Sequence, residues 1–501
     1  MEIGQVIGTT SLRTFRFVIK EGAEKHVKRD EFVSVRESVT GREILGIVKD
    51  IVTSNELLPD EFGRDMRLGD IILNEGEYPV PIVKILGYEG ENGLEIPRYG
   101  IKPGAVVELT NDETLRRILE QDAAKSAYIG TISTRASIPV SLSLNDLISR
   151  HCAVLAMTGA GKSYTVGVII EEIMKKHGSI VVFDPHGEYR GMAVNDSDSC
   201  IYSIEGDNRI KIAVRSLHTG DFANLIPDLT DPQRDLLDEL LNMISRFYEE
   251  YDLSVLTKVL SELYDVKKAS DKTDGQFPSD ILSSIARKVG LATIGALMRR
   301  VGRLENMGLF DAKGMPLEAI IRRNQLTIMD LSEADERLSE TVVVAMCRRI
   351  FNARKSHEKK GGSSVPTFLI VEEAHNFAPR GVEDRVVMSR AILRKIAREG
   401  RKFGVGLCIV SQRPNKLDAD VLSQCNTQII MKIVNPSDQE YIRQSVETVT
   451  EDIVRDLPSL SRGEAIVVGS AIRMPVPVKI RMRETTVGGE DIDIVGAWNS
   501  D

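Results

Sequence analysis

The segment Ala156-Met157-Thr158-Gly159-Ala160-Gly161-Lys162-Ser163 stands between an apolar run, Cys152 to Met157, and a helical run, Tyr164 to Lys175. Glycines at 159 and 161 let backbone N–H groups turn inward, and the helix N-terminus adds its dipole. Lys162 and Ser163 add an ammonium and a hydroxyl. Such a set binds phosphate: Lys162 would reach the β- and γ-phosphates of a nucleotide, and Ser163 would hold Mg²⁺. Ala156 stands where a first glycine is usual, but the cradle lies mostly downstream of it. The residues expected along the nucleotide are Thr158, Gly159, Ala160, Gly161, Lys162, Ser163 and Tyr164.

A phosphate loop of this kind needs an acidic partner. Thr367-Phe368-Leu369-Ile370-Val371-Glu372-Glu373-Ala374-His375 is an apolar strand ending in two carboxylates, which reads as a Walker B strand with Glu in the usual Asp place. Glu372 would orient magnesium or its water shell, and Glu373 would polarise a water attacking the γ-phosphate. A solvated turn is the other reading of two such acids, and their pairing with the phosphate loop weighs against it. Asp184 ends the strand after the loop's helix, in Val181-Val182-Phe183-Asp184-Pro185-His186-Gly187-Glu188-Tyr189. Parallel sheets gather ligands beyond the carboxyl ends of their strands, so Asp184 should converge on the same site, unless it only shapes the turn before Pro185. Gln412, ending Cys408-Ile409-Val410-Ser411, presents an amide that could sense the γ-phosphate or simply close its strand. Arg390, Arg394, Arg398 and Arg401 recur at intervals of four, four and three, one basic stripe on a helix spanning 384–402. The stripe is either a solvated face or the source of a cation acting on a neighbouring subunit's nucleotide. Arg398 is favoured for that second role, with Arg150, just before the phosphate-loop strand, as a second candidate.

The elements that must position these residues follow from the pattern of the chain. Its 501 residues, 42% apolar and 28% charged, exceed one core and exclude a disordered or collagenous protein. Residues 1–110 carry short β-like runs between turn-rich breaks, as in a small β-barrel. Residues 111–140 read as a helical connector. From 141 to 484, strands alternate with helices, as in an α/β core with a mostly parallel sheet, interrupted by an all-helical insertion at about 217–323. Ser332-Glu333-Ala334-Asp335 matches a capping box. Residues 485–501 form a tail, in which Trp498, Ile492, Ile494 and Val495 either tuck against a neighbour or fray. Five scattered cysteines read as small buried hydrophobes, and no His/Cys metal cage is expected. No run reaches the ~18 apolar residues of a membrane span, and no secretory segment opens the chain. The cytoplasm is the expected compartment. A net charge of −9 gives no global pull on a polyanion, so any nucleic acid must meet a local basic surface.

In this order, the motifs Met-Thr-Gly-Ala-Gly-Lys-Ser, Phe-Asp-Pro-His-Gly-Glu-Tyr, Val-Glu-Glu-Ala-His-Asn-Phe and Ser-Gln-Arg-Pro, behind a barrel, resemble the archaeal HerA DNA-translocating ATPases of the HerA/FtsK superfamily. The resemblance spans essentially the whole chain. It implies a RecA-like P-loop ATPase core behind a HAS-barrel-like domain, and a homohexamer with ATP and Mg²⁺ at subunit interfaces. It further implies double-stranded DNA through the centre and a NurA nuclease partner in DNA-end resection for recombinational repair. On that basis Lys162, Ser163, Asp184, Glu373 and Gln412 act in cis and Arg150 and Arg398 in trans, with Val476 and Pro477 at the base or ribose edge. Arg190, Arg209, Arg380 and Arg385 are candidates for the DNA bore. Two other trades stay open: a ring ATPase that moves protein, and a nucleotide-switched scaffold.

Overall fold

The computed structural model describes residues 1–55, 77–90, 93–192, 198–226, 228–268, 277–360, 365–381, 387–486 and 498. The chain forms two compact units: Met1–Ser143 with Ile429–Lys432 and Thr448–Arg481, and Leu144–Gln428 with Ile433–Glu447 and Met482–Asp501.

In the first unit, alternation of inward apolar and outward polar residues builds antiparallel strands. Glu2–Ile7, Thr14–Ile19, Phe32–Arg36, Glu43–Asn55, Glu77–Gly90 and Val106–Leu109 pair in a ring. Thr14–Ile19 closes it by bonding both Glu2–Ile7 and Glu77–Gly90. Phe15, Phe17, Val33, Val35, Val48, Val83 and Val107 fill the interior. The stretch 111–140, expected to be a helical connector, differs from that expectation. It holds one amphipathic helix, Asp112–Leu119, capped by the Asn111 side chain, and then the strand Ser126–Ile132, which pairs with Arg135–Ser143. The first unit also reclaims late-chain residues, because Val476–Ile480 bonds both Glu464–Gly469 and Ser126–Ile132.

The second unit is organised by six parallel strands in the order Ser199–Ser203, Gln325–Asp330, Ser179–Asp184, Thr367–Val371, Val405–Ser411, Cys152–Leu155. The last five of these are buried along their whole length, so their sequences are mostly apolar on both faces, with polar residues chiefly at the strand ends. The helical insertion comprises chiefly Thr219–Leu225, Asp231–Phe247, Leu253–Lys268, Ser279–Lys288 and Leu291–Asn306. The expected helix over 279–306 is two helices bent by 109°, broken at Val289-Gly290. Among the described residues no single helix is long and apolar enough to cross a membrane.

Two local expectations are corrected. Ser332 does not cap the helix Glu336–Lys360, because its hydroxyl donates to Asp330. Asp335 caps instead, accepting from the Leu338 N–H at 2.8 Å. The strand expected over 428–434 is Thr427–Ile430. Four cysteines are buried, and Cys200 is partly so. Of the tail beyond Thr486 only Trp498 is described, and it is exposed; Ile492, Ile494 and Val495 lie outside the described residues.

Candidate nucleotide site

Parallel strands bring their carboxyl ends to one edge, and the expected site residues meet there. Gly159 and Gly161 have φ of +79° and +106°, values that penalise a side chain and that the inward-turned loop requires. The loop leads into the helix Lys162–Met174, whose first N–H groups have no partner within the helix and can serve an anion.

Lys162 reaches across to the neighbouring strand end. Its Nζ lies 2.5 Å from a Glu372 oxygen and 3.2 Å from Glu373 Oε1. Both acids are buried, at 1% and 3% exposure. Burial works against the Lys162 charge, but the two carboxylates outweigh it and hold the ammonium well above the usual lysine range. Burial pushes Glu372 upward, against the pull of Lys162. The lysine is therefore held by the two acids. Glu373 adopts φ +47°, a left-handed conformation costly for a non-glycine residue and characteristic of sites that aim a side chain.

Sequence reasoning missed two residues here. The Tyr189 phenol donates to Glu372 Oε1, which leaves Glu372 held between a tyrosine and a lysine. The Ser163 hydroxyl meets Glu188, not Glu372. Expected as the magnesium partner of Ser163, Glu372 is instead occupied by Lys162, and Glu188 is the carboxylate at the hydroxyl. Both missed residues lie in the Asp-Pro-His-Gly-Glu-Tyr turn, and Asp184 explains why the turn exists. Its carboxylate accepts from the backbone N–H of His186 at 3.2 Å and of Tyr189 at 2.9 Å. Asp184 is at the expected edge, and these two hydrogen bonds go to the turn that presents Glu188. Gln412 meets the phosphate loop, where its amide oxygen accepts from the Thr158 hydroxyl.

Tyr164 is anchored by the chain's late residues. The Arg483 N–H donates to its phenol oxygen at 2.6 Å, and Glu171 on the same helix accepts from the Glu484 and Thr485 N–H groups. Gly167 makes room for this strap, since a Cβ there would stand 2.7 Å from the Arg483 guanidinium. The late-chain residues that reach this helix are Met482 to Thr485. Val476 and Pro477, expected at the base or ribose edge, are buried positions of an antiparallel sheet, paired with Val467 and Ile466.

The arginine stripe divides by what each guanidinium touches. Arg390 is buried and donates to the Pro379 carbonyl, which rules out a uniformly solvated face. Arg394 forks onto Asp418 at 2.9 and 2.6 Å, a structural pairing. Arg398 is more than half exposed and pairs with Asp420, and Arg150 pairs with Asp146 at 3.4 Å. The observed helix is Met388–Glu399, shorter than expected. Arg150 and Arg398 precede the strands Cys152–Leu155 and Val405–Ser411, so they sit at the edge away from their own phosphate loop. A seven-residue strand spans roughly 23 Å at about 3.3 Å per residue. Of the candidate bore residues, Arg190 pairs with Asp330, Arg380 stacks on Tyr441, and Arg209 donates to the Gly206 carbonyl. Arg385 lies outside the described residues.

The descriptions "HAS barrel domain" and "Helicase HerA, central domain" match residues 3–111 and 127–350. The DNA double-strand break repair helicase HerA of Pyrococcus furiosus is 34% identical over 99% of this chain and 96% of its own length. The chain belongs to the HerA helicase family. The HerA protein of Saccharolobus solfataricus is 31% identical over 99% of the chain and 96% of its own. Among solved structures, VirB4 of Thermoanaerobacter pseudethanolicus aligns with a TM-score of 0.50 at 17% identity, covering 72% of this chain and 97% of that one. That likeness is one of P-loop ATPase fold. Membership places this HerA-family chain among the ATP-hydrolysing helicases and translocases.

Two predictions arise from the site. Lys162→Ala should lower ATP turnover by at least about 10²-fold, as for other lost transition-state donors. It should also cost the unliganded fold about 3 kcal/mol by leaving adjacent buried carboxylates uncompensated. Turnover assays and thermal unfolding read both, and turnover within a few-fold of the parent would refute the assignment. The second concerns His151, whose Nδ1 accepts from the Leu407 N–H at 3.0 Å. Burial lowers its pKa from 6.5 to about 4, so the folded state favours the neutral ring. Its contribution is present above pH 6.5 and is lost as pH falls towards 4, by about 2 kcal/mol at pH 5. His151→Asn, which suits the φ of +60° there, should remove that part of the acid sensitivity of urea unfolding. Equal pH slopes in parent and variant would refute it.

Proposed function

We propose that this HerA-family chain is a motor that hydrolyses ATP to move along double-stranded DNA. In this reading it works as a homohexamer in the cytoplasm, with nucleotide at subunit interfaces and the NurA nuclease as partner in DNA-end resection. The observation that carries the reading is the meeting of Lys162, Glu372 and Glu373 at one sheet edge beside the phosphate loop.

The chain's own groups suggest a division of labour. Lys162 leaves its acids for the β/γ-phosphates, the loop's N–H groups hold the remaining oxygens, and Gln412 reports the γ-phosphate to its strand. Freed from Lys162, Glu373 orients the attacking water and takes its proton. Ser163 and Glu188 would hold Mg²⁺, directly or through its waters, with Glu372 behind them; the ion, when bound, neutralises charge on the phosphate oxygens. An oxygen-donor pair of hydroxyl and carboxylate fits that hard cation. Arg150 and Arg398, placed away from their own loop, would serve a neighbouring subunit. Arg190, Arg209 and Arg380 would contact DNA phosphates, positioning the duplex without reading its sequence. The Pyrococcus relative's name, a double-strand break repair helicase, favours DNA over protein as the cargo.

ATP turnover measured with and without linear duplex DNA tests the cargo. Stimulation of several-fold or more is expected. Unchanged turnover would contradict a DNA motor and favour a protein-moving ring or a switched scaffold.

A further inference from the structure

The assignment of Glu373 as the base leaves one question: what aims its carboxylate once Lys162 has turned to phosphate. In this structure Oε1 faces Lys162 at 3.2 Å. Oε2 is buried and, among the described residues, has no hydrogen-bond partner. His375 Nδ1 stands 3.2 Å from that oxygen and 3.2 Å from the Ser411 hydroxyl. Backbone bonds hold the turn that carries the ring: the Asn376 N–H donates to the Glu373 carbonyl and the Ala374 N–H to the Val410 carbonyl, at 2.8 and 2.9 Å. Burial lowers the His375 pKa, so at neutral pH the ring has a single N–H to give. A buried carboxylate that loses its cation needs a donor.

We propose that His375 is the positioning residue for Glu373, its Nδ1–H donating to Oε2 when Lys162 leaves, so that the base is aimed from the strand end that carries Ser411 and Gln412. This rests on the reading of Glu373 as base. The same ring touches the Ser411 hydroxyl, which itself accepts from the Arg413 N–H at 3.1 Å. The aim of the base is therefore tied to the segment next to the γ-phosphate sensor.

The experiment compares His375→Asn, His375→Gln and His375→Leu with Glu373→Gln in the full chain. It reads kcat, KM and affinity for a non-hydrolysable ATP analogue. An asparagine amide can occupy the place of Nδ1, whereas glutamine reaches past it and leucine has no donor. His375→Leu and His375→Gln should lower kcat roughly tenfold to a hundredfold, the scale of a misaimed group, with KM and analogue binding unchanged. His375→Asn should stay within a few-fold of the parent. Parent-like kcat in both the Leu and Gln variants overturns the proposal, and so does an Asn variant as slow as they are. Analogue binding at parent affinity identifies a folded site in each variant. Turnover that survives Glu373→Gln overturns the base assignment itself, whereas an inert Glu373→Gln beside normal His375 variants overturns only this inference.

Discussion

Arg398→Ala is expected to slow ATP hydrolysis by roughly 10³-fold or more, the scale of a cation supplied in trans to phosphoryl transfer, while ATP binding persists. The choice among Arg390, Arg394 and Arg398 follows from what each would have to give up. Arg390 and Arg394 are committed to a carbonyl and to a buried aspartate. The Arg398 pair with Asp420 is solvated on both sides, and exposed pairs contribute only about 0–1 kcal/mol, so this guanidinium can be released to a neighbour at small cost. Arg150, partly exposed beside Asp146, is the second source, and Arg150→Ala should slow turnover in the same direction. Mixing Arg398→Ala with Glu373→Gln subunits decides where the arginine acts. A site with an intact Glu373 from one subunit and an intact Arg398 from the next should regain turnover. Mixed rings no faster than either variant alone would place Arg398 in its own subunit's chemistry or outside the chemistry altogether.

The second large effect belongs to Glu373. Glu373→Gln should lower turnover by roughly 10²–10⁴-fold, the usual contribution of a positioned base, and leave ATP bound. The amide keeps the shape of the side chain but cannot take a proton. It also removes one of the two carboxylates that hold Lys162, so ATP affinity should hold or rise. Weakened ATP binding would mean that Glu373 serves the nucleotide seat and not the water. A scaffold that merely switches on nucleotide would keep its function in this variant; a motor would stall.

Much of the site is legible in sequence because its chemistry is contiguous. The phosphate loop and the Glu372-Glu373 pair each occupy a few adjacent residues, and burial on both faces turns the sheet strands into apolar runs. Other features depend on partners far along the chain. Arg394 reads as one of a stripe that is either solvated or aimed at a neighbour until Asp418 is folded beneath it, 24 positions later. Glu188 reads as a loop acid until Asp184 folds the turn that aims it at Ser163. The strap at Met482 to Thr485 carries no periodicity to mark it, and Gly167 looks like an ordinary weak helix position until Arg483 lies against it. The hairpin from Ser126 to Ser143 was hidden by irregular register at Gly130 and Ile132. The break at Val289-Gly290 was hidden because apolar spacing continues through it.

The most direct test of the central claim is a structure of the assembled chain with a non-hydrolysable ATP analogue, Mg²⁺ and duplex DNA. The predicted result has Lys162 withdrawn from Glu372 and Glu373 to within about 3 Å of the β/γ-phosphates, Glu188 beside the ion held by Ser163, and an arginine of the adjoining subunit at the γ-phosphate. A nucleotide seated elsewhere, or one bound with Lys162 still paired to its two acids, would contradict the account.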